Sequence, residues 1–126
     1  MKFWSGMFWS AALFNFIVAI IIGFFGTQFY DLAGFDYQPT ETIWRYLSAL
    51  LIGMYGVGYA LCAINPTLNR NIIILGLIGK LFVVLLVIAL YAAGDIPVGI
   101  PVVASGDLIY VILFFIFLLR TRTGSI

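Results

Sequence analysis

The chain has 126 residues, of which 64% are hydrophobic and 9% are charged, and its formal net charge is +1. A soluble domain carries about 25% charged residues, so this composition fits lipid better than water as the surrounding solvent. The small net charge argues against nucleic acid as a partner, because a nucleic-acid-binding surface needs clustered Lys and Arg. Histidine is absent and Cys62 is the only cysteine, so we expect no metal, no haem and no other cofactor.

Four apolar segments are long enough to cross a bilayer, which takes roughly 20 mostly apolar residues in a helix. They cover residues 7–25, 43–64, 72–91 and 100–119. The linkers between them are short, so consecutive helices should pack antiparallel. The sequence therefore predicts an all-α fold in which residues 1–126 form one membrane domain, an antiparallel bundle of four transmembrane helices.

The longest predicted linker is 28–42, and the shorter one between the second and third helices is rich in asparagine. Glu41 and Arg45 are spaced so that they can pair on one helical face. Asn69 or Asn71 is expected to cap the start of the third helix.

The charges of the linkers and termini alternate in sign along the chain. One side of the predicted bundle receives the basic residues Lys2, Arg70, Arg120 and Arg122, and the other receives the acidic residues Asp31, Asp36, Glu41 and Asp95. Arg45, on the acidic side beside Glu41, is the exception. Because basic segments stay on the cytoplasmic side of a membrane, we expect both termini in the cytoplasm.

Two charged residues, Lys80 and Asp107, fall inside the third and fourth apolar segments. Each would cost about 2.5–3.5 kcal/mol if it faced lipid alone. The long lysine stem can reach the depth of Asp107, so we predict an ion pair between them. Two interpretations stay open: the pair locks the two helices together, or it forms a polar site for a ligand, a proton or a partner.

Further polar side chains are expected near this pair. Asn15 lies at the level of Lys80, where it could join the cluster or make only an interhelical hydrogen bond. Tyr110 follows Asp107 by one helical turn and shares its face. With Tyr55, these residues could line one pocket, which Arg45 would rim at its outer end.

Small residues on the second and third helices favour close helix packing, with a ligand groove as the alternative. They are Gly53, Gly56, Gly58, Gly76 and Gly79. The Phe-rich run over residues 114–117 is expected to face lipid or another subunit.

Short motifs in this chain are Gly58-Tyr59, Pro66, Asn69-Arg70, Gly79-Lys80 and Gly106-Asp107. In these motifs the chain resembles small bacterial four-helix membrane proteins of unassigned function, and it is superficially similar to the DoxX-like group. The resemblance implies a location in the cytoplasmic (inner) membrane of a bacterium. DoxX-like proteins are sometimes linked to redox or membrane accessory roles, but no residue here matches a redox site.

The sequence contains no recognised catalytic motif, so we expect binding or assembly rather than catalysis. The first hypothesis is an accessory or assembly subunit of a larger complex or oligomer, with the lipid bilayer, other membrane subunits or further copies of itself as partners. The second is a binder or carrier of a lipophilic or amphiphilic small molecule, held around Lys80 and Asp107. The third is a small proton-coupled transporter. Small four-helix multidrug exporters carry their essential acid on the first helix, whereas the acid here, Asp107, lies on the fourth.

Overall fold

A computed structural model describes residues 1–34 and 42–121, and all regular structure within those ranges is helical. The elements are α1 (Lys2–Phe24), α2 (Gly26–Ala33), α3 (Thr42–Ile64), α4 (Arg70–Ala92) and α5 (Gly99–Arg120). Four of them, α1, α3, α4 and α5, are long and apolar enough to cross a membrane. At ~1.5 Å per residue, helices of 22 or 23 residues exceed the ~30 Å hydrocarbon core of a bilayer. The prediction of an all-helical chain with four helices of membrane-crossing length is confirmed.

The short helix α2 was not expected, because its residues were assigned to a linker. The backbone leaves α1 at Phe25 and resumes helical structure at Gly26. The helix ends at Gly34, which has a left-handed φ of 99° that glycine adopts without steric cost. Eight residues of mixed polarity are too few for a clear periodic pattern, and this explains why the apolar runs alone did not reveal the helix.

The long helices pack in pairs. At the start of α1, the Ser5 hydroxyl donates to the carbonyl of Ala63 at the end of α3. At the start of α4, Arg70 donates to the carbonyls of Leu118 and Thr121 at the end of α5. The α1–α3 and α4–α5 contacts are extensive, whereas α3 and α4 touch over a shorter length.

The two ends of the bundle differ in charge. The basic end carries Lys2, Arg70 and Arg120, and the acidic end carries Asp31 and Asp95. At the acidic end, α2 lies against the start of α5, where a Cβ on Gly99 would collide with the backbone of Ala33. This collision shows why glycine stands at the first position of α5.

Side chains at the basic end satisfy the carbonyls with which α3 and α5 finish. Asn69 precedes α4 but makes no capping bond to it. Its amide instead donates to the carbonyls of Leu61 and Asn65, at 2.9 and 3.1 Å. Asn69 therefore occupies the expected N-cap position of α4, but its amide binds carbonyls at the end of α3 and not the first N–H groups of α4.

A cluster of aromatic rings fills the bundle toward its basic end. Phe8 of α1 packs against Phe114 and Phe117 of α5, with ring centroids 5.1 and 5.3 Å apart, and all three side chains are fully buried. Only Phe115 of the Phe-rich run is half exposed. The expectation that this run faces outward is wrong for Phe114 and Phe117, because helical spacing places residues three apart on one face.

Each of the five glycines that the sequence singled out lies beside a neighbouring helix. Gly53 and Gly56 face α1, where a Cβ on Gly56 would meet the Phe16 ring at 2.8 Å. At the α3–α4 contact, Gly58 lies beside Ile72, and Gly76 and Gly79 lie beside Tyr59 and Tyr55. These glycines are used for packing inside the chain.

Candidate functional site

The two charges inside the long helices contact each other. Lys80 of α4 places its Nζ 2.6 Å from Oδ1 of Asp107 on α5. The lysine side chain is 5% exposed and the aspartate side chain is 20% exposed. The cation is therefore enclosed, while part of the carboxylate reaches the surface of a cavity.

Asn15 of α1 completes the polar contacts of the lysine. Its Oδ1 accepts a hydrogen bond from Lys80 Nζ at 3.1 Å, and its Nδ2 donates to the Ile52 carbonyl of α3 at 3.0 Å. An amide that accepts at one end and donates at the other has its orientation determined. Asn15 thereby joins the ion pair between α4 and α5 to both α1 and α3.

Three aromatic rings surround the lysine ammonium. The centroids of Phe14, Tyr59 and Tyr110 lie 5.3, 5.2 and 5.4 Å from Nζ, within the range of a cation–π contact. A Cβ on Gly106 would meet the Phe14 ring at 2.7 Å, so this glycine makes room for one of the three rings. The rings and the two oxygen acceptors together replace water around the cation.

Tyr110 contributes its ring to this site, but its hydroxyl points elsewhere. The hydroxyl donates to Ser10 Oγ at 2.9 Å, and Ser10 donates to the Met7 carbonyl at 2.6 Å. This chain of hydrogen bonds runs along α1 toward the basic end. The Tyr110 ring therefore lies against the lysine ammonium. Tyr110 does not line the cavity beside the ion pair, contrary to the prediction.

A cavity of about 420 Å³, which we call the central chamber, adjoins the ion pair. Most of its wall is apolar, and its polar wall residues are Asn15, Ser48, Tyr55, Tyr59, Lys80 and Asp107. Among the described residues, neither the Tyr55 hydroxyl nor Oδ2 of Asp107 has a hydrogen-bond partner. The chamber thus offers a molecule a carboxylate acceptor together with the hydroxyl of Tyr55.

A second cavity of about 390 Å³, the end chamber, continues from the central chamber toward the acidic end. The two chambers share the wall residues Val18, Ser48, Ile52, Val83, Val103 and Asp107. Arg45 lines the end chamber and does not contact the ion pair. Its predicted partner, Glu41, lies outside the described residues.

The structure brings Lys80, Asp107 and Asn15 into direct contact, and Tyr55 lies on the same chamber wall. Sequence reasoning did not include Phe14 and Tyr59 in the cluster, although both rings touch the ammonium. The spacing of Tyr55 and Tyr59 by one turn was an available signal. Phe14 carried none, because it is one of twelve phenylalanines in an apolar chain.

The polar groups of the site are an ion pair and its hydrogen-bond partner Asn15, which can recognise a molecule through charge and hydrogen bonds. Residues 1–34 and 42–121 contain no group of three or more His, Cys, Asp or Glu that could hold a metal ion. The Cys62 thiol is buried and directed at the Asn69 carbonyl, 3.7 Å away. Cys62 lines neither of the two chambers.

Comparison with known proteins adds no relative to this picture. No protein-family model, curated protein or solved structure matches the chain.

Proposed function

We propose that this protein binds a lipophilic molecule inside the membrane, with a hydrogen-bond donor of that molecule directed at Asp107. The observation that carries the proposal is the carboxylate of Asp107, which lines both chambers and keeps one oxygen without a protein partner among the described residues. The Asp107 side chain is 20% exposed, so this oxygen is open to the chamber, where a hydroxyl or amine of a ligand would donate a hydrogen bond to it. The Tyr55 hydroxyl supplies a second polar contact.

The packing of α3 and α4 supports entry of such a molecule from the lipid. Tyr59 and Tyr55 fill the space beside Gly76 and Gly79 toward the basic end. Farther toward the acidic end, the exposed residues Leu51 and Val83 lie on the walls of the central chamber. The chamber therefore reaches the outer surface of the helices, where lipid would be.

The setting of this site is the finer part of the proposal. We propose that the four long helices form an antiparallel bundle in a bacterial cytoplasmic membrane, with the basic end and both termini in the cytoplasm. The contact of Ser5 with Ala63 and the contacts of Arg70 with the end of α5 support the antiparallel arrangement. The distribution of Lys and Arg supports the orientation, and reporter fusions at either terminus would test it.

A matched pair of valines on α5 tests ligand binding. Val103 lines both chambers, whereas its neighbour Val102 is 65% exposed and lines neither. The Val103→Phe variant should lose the molecule that copurifies with the wild-type protein in native mass spectrometry, and Val102→Phe should keep it. Equal ligand content in the two variants, or a wild-type protein without any bound molecule, would contradict the proposal.

An accessory role in a larger membrane complex is the second candidate. Besides the short loops and the absence of a soluble domain, its support in the sequence was the glycine-bearing helix faces. Gly53, Gly56, Gly58, Gly76 and Gly79 all pack within this chain. The exposed apolar side chains that remain suit lipid and protein neighbours equally. We therefore rank assembly below ligand binding, and proton-coupled transport below both because Asp107 already has a cationic partner.

A further inference from the structure

Arg45 lies at the wall of the end chamber, and not all of its hydrogen-bond donors have a partner in the described part of the chain. Its stem crosses the backbone at Gly26, where a Cβ would lie 2.7 Å from the arginine Cδ, and its guanidinium carbon lies 4.9 Å from the centre of the Tyr46 ring. The buried Nε of Arg45 has no hydrogen-bond partner among the described residues. The side chain is thus held in place while part of its donor capacity is unused.

The position of Arg45 relative to the ion pair defines a second polar pole. Arg45 and Asp107 both line the end chamber, and the wall between them includes the apolar side chains of Val18, Val87 and Val103. On α3, Arg45 lies about two turns, roughly 10 Å, from Ile52, whose carbonyl binds Asn15 beside the ion pair. The chamber therefore has a cation at one end, a carboxylate at the other and an apolar stretch between.

Lys80 is poorly placed to hold an anion of a ligand. Its ammonium already binds Asp107 and Asn15, and its side chain is only 5% exposed. Arg45 is only partly buried and faces the chamber from the acidic end. Guanidinium groups bind carboxylates and phosphates through two parallel hydrogen bonds, so an anionic group suits the arginine better than it suits the enclosed lysine.

We propose that the ligand is a two-ended amphiphile whose anionic group binds Arg45 and whose hydrogen-bond donor, at the other end of a hydrocarbon spacer, binds Asp107. This inference rests on the proposed function and names the chemical class of its ligand. The anion is a carboxylate or a phosphate, because either matches the guanidinium.

Three probes of equal chain length separate the two poles. The first is ω-hydroxydecanoate, which has both an anion and a terminal hydroxyl; the second is decanoate; the third is the uncharged decanediol. Displacement of a bromine-labelled decanoate that quenches Trp44, a residue of the end-chamber wall, reports binding to the full-length protein in nanodiscs. Alkyl phosphate in place of the carboxylate shows which anion is preferred.

The wild-type protein should bind the hydroxy acid at least tenfold more tightly than the diol, as expected for a hydrogen bond to a charged group. Arg45→Gln should abolish that preference while keeping diol binding, and Arg45→Lys should retain part of it. Thermal unfolding in detergent identifies variants that fail to fold. If Arg45→Gln is one of these, Gly26→Ala serves as the second variant, because the added methyl displaces the arginine stem.

The outcomes distinguish this inference from the proposed function. Binding of all three probes with equal affinity would overturn the anionic pole and leave intramembrane binding intact. Failure of every probe and absence of any copurifying molecule would overturn the proposed function itself. If only the Glu41→Gln variant prefers the hydroxy acid over the diol, the partner of Arg45 in the wild type is Glu41 and not a ligand. That result would also overturn the inference.

Discussion

The two halves of the bundle differ in how completely their polar groups are hydrogen-bonded and in how completely the space between the helices is filled. Toward the basic end, Arg70 and Asn69 bind the last carbonyls of α5 and α3, and buried rings such as Phe114 fill the space between the helices. Toward the acidic end, Asp107 and Arg45 line an open chamber, and the buried Nε of Arg45 has no hydrogen-bond partner among the described residues. In one half the helix ends are hydrogen-bonded and the space between the helices is filled, whereas the other half encloses open chambers. This difference separates residues that hold the helices together from residues that line the chambers.

The largest effect is expected from breaking the ion pair on one side only. Asp107→Ala should lower the free energy of unfolding by about 3–5 kcal/mol, because it leaves an enclosed ammonium without its counter-charge. The double variant Lys80→Met with Asp107→Leu should recover most of that loss. Unfolding by SDS titration in mixed micelles measures both variants, and a single variant as stable as the double one would show that the pair does not bear on the fold.

Truncation of the aromatic cluster is the next largest change. Phe114→Ala should cost about 3 kcal/mol, because it leaves a cavity among rings that are fully buried. The adjacent Phe115 is 52% exposed, so Phe115→Ala should change the free energy of unfolding by less than about 0.5 kcal/mol. The same SDS titration applies, and equal losses would contradict the division into a filled and an open half.

The sequence could predict the contact between the two charged residues, because lipid makes an unpaired charge inside an apolar helix unfavourable. A lone Lys80 and a lone Asp107 in neighbouring apolar helices have few favourable partners other than each other, and their contact followed from depth alone. The outward placement expected for Phe114 failed because apolar residues are equally compatible with lipid and with a protein interior. Hydrophobicity therefore locates membrane-spanning segments but does not orient them within the bundle.

The same limitation applies to the candidate site. Asn15 was placed at the level of Lys80 by counting residues, and the structure joins them by a hydrogen bond. Tyr59 was left out of the cluster although its ring contacts the ammonium. The chambers lie between helices of which α3 and α4 contact each other over only a short length, and no single residue type signals such an arrangement. The short helix α2 was missed for a related reason, since eight residues carry little periodicity.

A smaller effect is expected at the basic end. Arg70→Met should lower the free energy of unfolding by about 1–2 kcal/mol, because its guanidinium binds the Leu118 carbonyl at 2.9 Å and Thr121 Oγ1 at 2.7 Å. Arg120 is exposed, so Arg120→Met serves as the matched control and should be nearly neutral. Hydrogen exchange at the last turn of α5 should rise only in the Arg70 variant. Unchanged exchange would remove Arg70 from the stabilisation of this end.

The smallest effect on stability sharpens the comparison most. Tyr55→Phe should leave the free energy of unfolding within about 0.5 kcal/mol of the wild type, because the hydroxyl has no partner among the described residues. Ligand affinity should nevertheless fall by about threefold to tenfold, as expected for one hydrogen bond. Native mass spectrometry with the bound molecule measures this change. A loss of stability without a loss of affinity would place Tyr55 with the structural residues.

The exposure of Leu51 and Val83 on the wall of the central chamber has a consequence for how strongly the proposed site would be occupied. A molecule that reaches Asp107 from the side is drawn from the bilayer, so the concentration that governs occupancy is its concentration in lipid rather than in water. A sparingly soluble amphiphile is enriched in lipid by its own partitioning, and each added methylene contributes about 0.8 kcal/mol to that transfer. Consider two pockets with the same intrinsic affinity, one open to lipid and one open to water. At a low aqueous concentration of the amphiphile, the lipid-facing chamber can be filled while the water-facing pocket stays empty.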